Sequence, residues 1–392
     1  MTYIFAKRKL MLERIAIFPF MALGKLCGNI FRLKTKHSIF LFYPNKDIGG
    51  SPQVNIDIAN CIKNLKPIII FSKKDNNGQF RERYNIEGVR ILEIHKYIDN
   101  KFFHFINFFF RGLLSAWINQ QKNAVVFGGE CIFFYKVIPH VGKKVHTVEL
   151  CHLPTWLPYS IGFIDNINCR VFSTQKLKED VEQQYIANKL PAPYFEKLFF
   201  IENALDIPPY KAPQNDVFQI YFIGRGAPQK RVHLIAAIAE KIYQKGLKVK
   251  FNFVGDVDKV IDQAKYPFCN FFGNVKGEEE LKKIYNHADV LLMTSAFEGL
   301  PIVVMQIMAY GKVVISTAVN AIPDYIHHLE NGLLIKATDE NEIVEEAVGY
   351  IEMLIGNPDL YFKMGKNSRE IAIAKFNRQT FCSAYKTIFK IN

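Results

Sequence analysis

Short apolar runs bounded by turn residues alternate with helix-period segments along almost the whole chain, and no other feature narrows the fold so far. That rhythm predicts parallel strands joined by crossover helices. Ser38-Ile-Phe-Leu-Phe-Tyr43 is the first run, and beyond Gly49-Gly50 come Val54, Ile58, Cys61, Ile62 and Leu65 at helical spacing. Ser51 reads as the N-cap and Pro52 as the first residue of that helix. Further strands are expected over 67–71, 124–127, 144–150 and 169–173. A second series follows, with strands over 217–223, 249–254, near Phe271, over 290–294 and over 313–317, and helices over 230–245 and 278–287.

Between the two series, residues 189–216 hold five prolines and little helical period, which marks an interdomain region. At 392 residues the chain exceeds the size at which one core keeps growing, so two doubly wound domains in tandem are expected, with ligands at the carboxyl ends of strands facing a central cleft. The domain reading is a basic apolar segment over 1–36, a domain over 37–207, a second over 208–375, and a terminal helix over 376–392 that packs back on the first domain.

Two segments of the second series carry chemistry. Ser295-Ala-Phe-Glu298-Gly299-Leu300-Pro301-Ile-Val-Val-Met-Gln306-Ile-Met-Ala-Tyr-Gly311 reads as loop, ten-residue helix and loop, because Pro301 suits a first turn and Gly311 an exit. Glu298 then stands outside the helix N-terminus with Gln306 about 8 Å further along the axis, roughly the span of a ribose and a hexose. A surface Glu before an ordinary core helix is the alternative. Ile223-Gly224-Arg225-Gly226-Ala-Pro-Gln-Lys230-Arg231 follows a strand and opens a helix. There Arg225 can fork onto phosphate oxygens while Lys230 adds a point charge from the first helical turn. The helix N-terminus contributes its own partial positive charge.

With those residues in place, the C-terminal half resembles the large family 4 of retaining glycosyltransferases, of the GT-B fold, which is α/β with two Rossmann-like domains. The matching stretches are F-I-G-R-G-A-P-Q-K-R at 222–231, F-V-G-D at 253–256, F-F-G-N-V-K at 271–276, L-K-K-I-Y-N-H-A-D-V at 281–290, the 295–311 segment, and N-G-L-L-I at 331–335. The first half is similar more loosely, through Gly49-Gly50, His152 in V-E-L-C-H, V-F-S-T-Q at 171–175 and Ile201–Asp206.

The resemblance implies a nucleoside-diphosphate sugar donor, with Arg225 and Lys230 stabilising charge on the leaving phosphate and neither metal nor cofactor required. Glu298, with the amides of Gly299 and Leu300 ahead of Pro301, would hold the transferred sugar, and Gln306 the ribose. Gly49-Gly50 would let backbone amides approach the diphosphate or sugar, and His152 would sit beside the sugar; a core histidine is its alternative. Two positions depart from the pattern. Gln306 stands where the family has a second Glu, and Asn320-Ala321 where it has Gly-Gly, though Asn tolerates left-handed geometry. Asp256-Val-Asp258 is a D-x-D, which metal-dependent glycosyltransferases of another fold use, but F-V-G-D of the present family accounts for it.

Charge adds a partner. Of the net +13, residues 1–36 hold eight Lys/Arg against Glu13 alone, around the apolar run Ile15–Gly24, which at ten residues spans about half of the hydrocarbon thickness. The segment is expected to lie on an anionic membrane, or else to pack on the domain. The cluster 102–117 is aromatic and reads as a buried helix, with a membrane-facing role as the alternative. Seven cysteines, odd in number and scattered without C-x-x-C, argue against a disulfide framework or structural zinc. The whole describes a cytoplasmic glycosyltransferase, peripheral on the inner face of the membrane, that builds a surface polysaccharide such as lipopolysaccharide or capsule on a glycan or lipid-linked acceptor. A sugar-nucleotide epimerase of the same fold and a degenerate nucleotide-binding scaffold are the alternatives. Nucleic-acid binding lacks any reader motif.

Overall fold

The computed structural model describes residues 2–33, 37–76, 78–99, 104–153, 157–212, 215–275 and 277–390. Lys34, Lys36 and Lys276, and the first residues of the aromatic cluster, lie outside them. The chain divides into unit 1, Met1–Asn203 with Gln379–Asn392, and unit 2, Ala204–Arg378. The basic segment is thus part of unit 1, and the chain leaves and re-enters that unit at 203/204 and 378/379.

Unit 1 is built on β1 (Ile39–Tyr43), β2 (Ile68–Phe71), β3 (Arg90–Glu93), β4 (Val125–Gly129), β5 (His146–Cys151), β6 (Cys169–Phe172) and β7 (Leu198–Phe200). Every described pairing is parallel, in the order β3-β2-β1-β4-β5-β6-β7. Its helices are α1 (Tyr3–Ala16), α2 (Phe18–Ile30), α3 (Gly50–Cys61), α4 (His95–Ile98), α5 (His104–Asn119), α6 (Ile132–Val137), α7 (Leu157–Ser160) and α8 (Gln175–Ala187). β1 and β4 are buried at every position, as strands covered on both faces must be, which is why their sequences are unbroken apolar runs. A buried Glu149–Arg170 ion pair, with Tyr135, Ser160 and Tyr185 on its remaining polar atoms, sits in the interior beside β5 and β6.

Unit 2 repeats the plan with β8 (Phe218–Ile223), β9 (Val249–Val254), β10 (Asn270–Gly273), β11 (Val290–Met293), β12 (Val313–Thr317) and β13 (Leu333–Ile335), in the parallel order β10-β9-β8-β11-β12-β13. Around this sheet lie α9 (Val232–Gln244), α10 (Glu278–His287), α11 (Ile302–Ala309), α12 (Glu340–Gly356) and α13 (Pro358–Lys375). The last helix, α14 (Arg378–Ile388), returns the chain to unit 1, where Tyr385 and Phe389 stack edge-on against Phe127 of β4.

Four expectations change. β3, β7 and β13 had no place in the sequence reading; β7 falls inside the proline-rich stretch expected to link the domains. Gly49, not Ser51, is the N-cap of α3, and Pro52 is its third residue. Cys61 of α3 and Cys382 of α14 form a disulfide across 321 residues, where the odd, scattered cysteines argued against a disulfide framework. The helix expected from Lys230 starts at Val232.

Candidate functional site

In both sheets the strand order reverses direction at one place, between β1 and β4 in unit 1 and between β8 and β11 in unit 2. The loops leaving the carboxyl ends of such strand pairs splay apart and leave a crevice for ligands. The residues assigned from sequence to the donor in unit 2 stand in the loops leaving β8 and β11, except Gln306, which lies in α11; Asp256 and Asp258 follow β9, and Asn320-Ala321 follow β12.

β8 ends at Ile223, and the turn Gly224-Arg225-Gly226 follows. The Gly226 amide donates to Asp256 Oδ1 at 3.0 Å, and a Cβ built there would lie 2.1 Å from the Asp256 carbonyl oxygen, so only glycine lets the two loops touch. Asp256 also pairs with Lys259, which lowers its pKa together with the Gly226 bond. That employment as a loop tie supports reading its D-x-D as structural. Arg225 is exposed, and its guanidinium has no hydrogen-bond partner among the described residues.

Lys230 lies in a single 3-10 turn, Pro228–Lys230, ahead of α9. Arg231 follows in the left-handed conformation at φ 45°, a strained choice for a long side chain. Its guanidinium explains the geometry, since it donates to the carbonyls of Thr294 at 2.6 Å and Ser295 at 3.1 Å beyond β11. Thr294 Oγ1 returns a bond to the Arg231 carbonyl at 3.0 Å, the Ala296 amide donates to the Gln229 carbonyl at 2.8 Å, and Gln229 Nε2 to the Phe297 carbonyl at 2.6 Å. The two loops are therefore stitched side by side. The stitching brings Lys230 Nζ to 2.5 Å from Glu298 Oε1, with the side chains 14% and 7% exposed.

Glu298 is held from the other side as well. Its amide donates to Asn320 Oδ1 at 3.0 Å, and Asn320 stands at φ 46°. Asparagine therefore takes a left-handed geometry at the position where the resemblance implies glycine, and adds a side-chain acceptor that glycine lacks. Ala321, at φ −87°, needs no such freedom. Leu300 is buried in the core, Gly299 and Pro301 are half-buried, and the amides of Gly299 and Leu300 have no acceptor among the described residues.

Helix α11 runs eight residues rather than ten. Pro301, extended at ψ 134°, is its N-cap, and Tyr310 its C-cap. Gly311, at φ 70°, donates to the Met308 carbonyl and Lys312 to that of Ile307, which closes the helix in the double bond pattern of a left-handed glycine exit. Gln306 is the fifth helical residue and half-buried, and its side-chain amide has no hydrogen-bond partner among the described residues.

Unit 1 presents its own set. Gly49 is fully extended and Gly50 opens α3, placing the Gly-Gly pair at the helix N-terminus beyond β1. His152 follows β5; it is 8% exposed, burial pushes its pKa down against the opposing pull of Glu130, and its Nε2 has no partner among the described residues. Sequence reasoning missed Glu130. It stands just past β4 at φ 51°, accepts from Ser51 Oγ at 2.8 Å and from the His152 amide at 3.1 Å, and so joins the loops that carry Gly49-Gly50 and His152. No motif in the sequence points to it.

Residues 206–371 match the family described as Glycosyl transferases group 1. Among curated relatives, the capsular polysaccharide biosynthesis glycosyltransferase CapM of Staphylococcus aureus is 29% identical over 205 residues, 50% of this chain and 53% of CapM. An uncharacterized glycosyltransferase of Haemophilus influenzae is 23% identical over 353 residues, 82% of this chain and 91% of that protein. This chain spans about half the length, or less, of the first curated relatives that it matches. Among solved structures, HepE of Anabaena in complex with UDP and glucose superposes with a TM-score of 0.70 at 15% identity, over 90% of this chain and 99% of HepE. The pneumococcal O-GlcNAc transferase GtfA in complex with UDP and GlcNAc gives 0.73 at 13%, over 91% and 99%. The fold is GT-B.

Proposed function

We propose that this chain, whose second unit is a glycosyl transferases group 1 domain, transfers a sugar with retention from a nucleoside-diphosphate donor to a glycan or lipid-linked acceptor of a bacterial surface polysaccharide. The observation that carries the reading is the meeting of Lys230 with Glu298 where the loops leaving β8 and β11 run together. One group is a cation suited to a phosphate, the other a carboxylate suited to sugar hydroxyls, and unpaired amides at Gly299 and Leu300 lie beside them. Relatives in capsule synthesis, and neighbours solved with UDP and a sugar, lend the donor and acceptor classes.

In this reading the bond from the anomeric carbon to the leaving phosphate breaks as the acceptor oxygen attacks from the same face. The leaving phosphate oxygen takes the acceptor proton, so no carboxylate base is needed. Arg225 and Lys230 meet the charge that grows on that phosphate, so that no metal is required. Glu298 accepts from hydroxyls of the transferred sugar, and Gln306 from the ribose. In unit 1, amides at Gly49-Gly50 approach the diphosphate, and His152, held neutral by burial, bonds the sugar through its free Nε2. The setting is the cytoplasmic face of a membrane, reached by peripheral contact through the basic segment.

A thermal-shift screen against UDP, GDP, ADP and their sugars tests the donor, since a ligand at a hundred times its Kd adds about 2.7 kcal/mol. Release of the nucleoside diphosphate from the stabilising donor, accelerated by an acceptor glycan or glycolipid, supports transfer. Donor conversion without acceptor would instead reveal an epimerase, and stabilisation by no nucleotide would sink the proposal.

A further inference from the structure

Helices α1 and α2 each bury one face on unit 1 and leave an apolar face outside. In α1, Ala6 is buried and Tyr3, Leu10 and Glu13 are half-buried. At about 100° per residue the opposite side carries Ile4, Met11 and Ile15, with Phe5 and Leu12 beside them, and all five are 61% to 68% exposed. Arg8 falls within this strip, Lys9 on one flank, Lys7 and Arg14 on the other. In α2, Met21, Gly24 and Gly28 are buried while Phe18, Leu23, Leu26 and Ile30 are exposed. A helix apolar on both sides is at home only where both sides leave water. Of 25 exposed large hydrophobic residues among the described ones, 11 lie between Ile4 and Phe31, so the exposure is a patch and not the ordinary scatter.

The patch is firmly mounted. A Cβ at Gly24 would stand 2.0 Å from the Phe109 carbonyl oxygen of α5, and one at Gly112 of α5 would stand 2.2 Å from that of Met21, so α2 and α5 touch backbone to backbone. Phe20 then leans on Phe105 and Phe108, which extends the aromatic surface onto α5. Glu13, the one acid among residues 1–36, faces Arg111 and Lys136, and Lys7 pairs with Asp165 at 2.8 Å, which leaves Arg8, Lys9 and Arg14 as the cations turned outward.

We propose that α1 and α2, braced by α5, form a docking surface that lies in the plane of an anionic lipid leaflet, with Ile4, Met11, Ile15, Leu23 and Leu26 among the acyl chains and Arg8, Lys9 and Arg14 at the headgroups. Spanning is excluded by length: helices of 14 and 13 residues reach about 20 Å against a hydrocarbon core of about 30 Å. Among the described residues no helix is long and apolar enough to cross a membrane. A second copy of the chain is a poor occupant, because a self-complementary contact would set the outward cations of one strip against their like. The inference rests on the peripheral contact named above for its biological sense, but the docking is measurable without turnover. The platform is part of unit 1, so point variants test it where deletion of the segment would strip α5.

The experiment is sedimentation of the full chain with phosphatidylcholine vesicles, with and without phosphatidylglycerol, at low and high salt. Binding is expected only with the anionic lipid and weakens with salt. Leu12→Glu with Ile15→Glu, and separately Leu23→Glu with Leu26→Glu, reduce partitioning at least about tenfold at unchanged thermal midpoint. Arg8→Gln, Lys9→Gln and Arg14→Gln together reduce it roughly 100-fold. Wild-type protein that ignores anionic vesicles, variants that bind like wild type, or a dimer in light scattering that the Leu12/Ile15 variant dissolves would each overturn the proposal. A chain that docks but transfers no sugar sinks the glycosyltransferase reading alone, and one that glycosylates a soluble acceptor without docking sinks the surface alone.

Discussion

Lys230 Nζ stands 2.5 Å from Glu298 Oε1, so the residue assigned to phosphate and the residue assigned to sugar form one ion pair. A donor that engages both must divide the pair between its two ends. Lys230→Met is expected to weaken donor binding or turnover 10- to 150-fold, about 1.5–3 kcal/mol. It also leaves the Glu298 carboxylate buried and unpaired, which lowers the thermal midpoint. Lys230→Met with Glu298→Gln separates the two effects: the midpoint recovers toward wild type while turnover stays low. Recovery of turnover in the double variant would show that the pair is only structural.

Gln306 offers an amide where a second carboxylate would serve a ribose diol more strongly. Gln306→Glu is expected to tighten nucleotide binding about tenfold, since hydrogen bonds to a charged acceptor are roughly twice as strong as neutral ones. Calorimetry with the nucleotide and its 2′,3′-dideoxy analogue checks the assignment, because the gain disappears when the diol is absent. An equal gain for both would place Gln306 away from the ribose.

Asn320 combines φ 46° with a side-chain bond to the Glu298 amide, so its variants should separate backbone from side chain. Asn320→Gly keeps the geometry and loses the bond, about 1 kcal/mol, whereas Asn320→Ala also incurs left-handed strain of about 1–2 kcal/mol. Denaturation midpoints in the order wild type, Gly, Ala check this; Ala as stable as Gly would remove the strain argument.

What the sequence showed and hid follows from where the determinants lie. Strands buried on both faces, such as β1, β4 and β12, advertise themselves as apolar runs. The edge strands β3 and β7, four and three residues long and only partly buried, carry no such signal. Glu298 and Lys230 were legible as members of a motif, but their contact was not, because it depends on Arg231 adopting a left-handed conformation to reach carbonyls 63 and 64 residues away. The start of α9 moved for the same reason.

The Cys61–Cys382 bond was hidden likewise, since spacing says nothing about two helices that meet only in the fold. It ties α14, which returns from unit 2, to α3 beside β1. Closing a loop of 321 residues constrains the unfolded chain, and the usual gain for such a link is about 2–4 kcal/mol. Reduction, or Cys61→Ser with Cys382→Ser, is expected to lower the unfolding midpoint of unit 1 while leaving that of unit 2 in place. Hydrogen exchange of α14 read with and without reductant checks this, and identical protection would mean that the packing of Tyr385 and Phe389 holds the helix unaided.

Glu130 has the same hidden character, with partners 79 and 22 residues away, yet it sits at the switch point of the first sheet. Its carboxylate gives one oxygen to Ser51 in the first turn of α3 and the other to the amide of His152, so it fixes the spacing of two loops assigned to one substrate. Glu130→Gln keeps the shape but turns one acceptor into a donor facing a donor. The expected result is a rise in KM for the nucleotide sugar of about tenfold, from one lost charge-assisted bond, with kcat changed less. Glu130→Asp, too short to span both loops, should behave like Gln, whereas Glu130→Gly relieves the φ of 51° and so loses less stability than Glu130→Ala. A KM unchanged in all of these variants would assign Glu130 to stability alone, and would leave the Gly49-Gly50 and His152 loops positioned by their own strands.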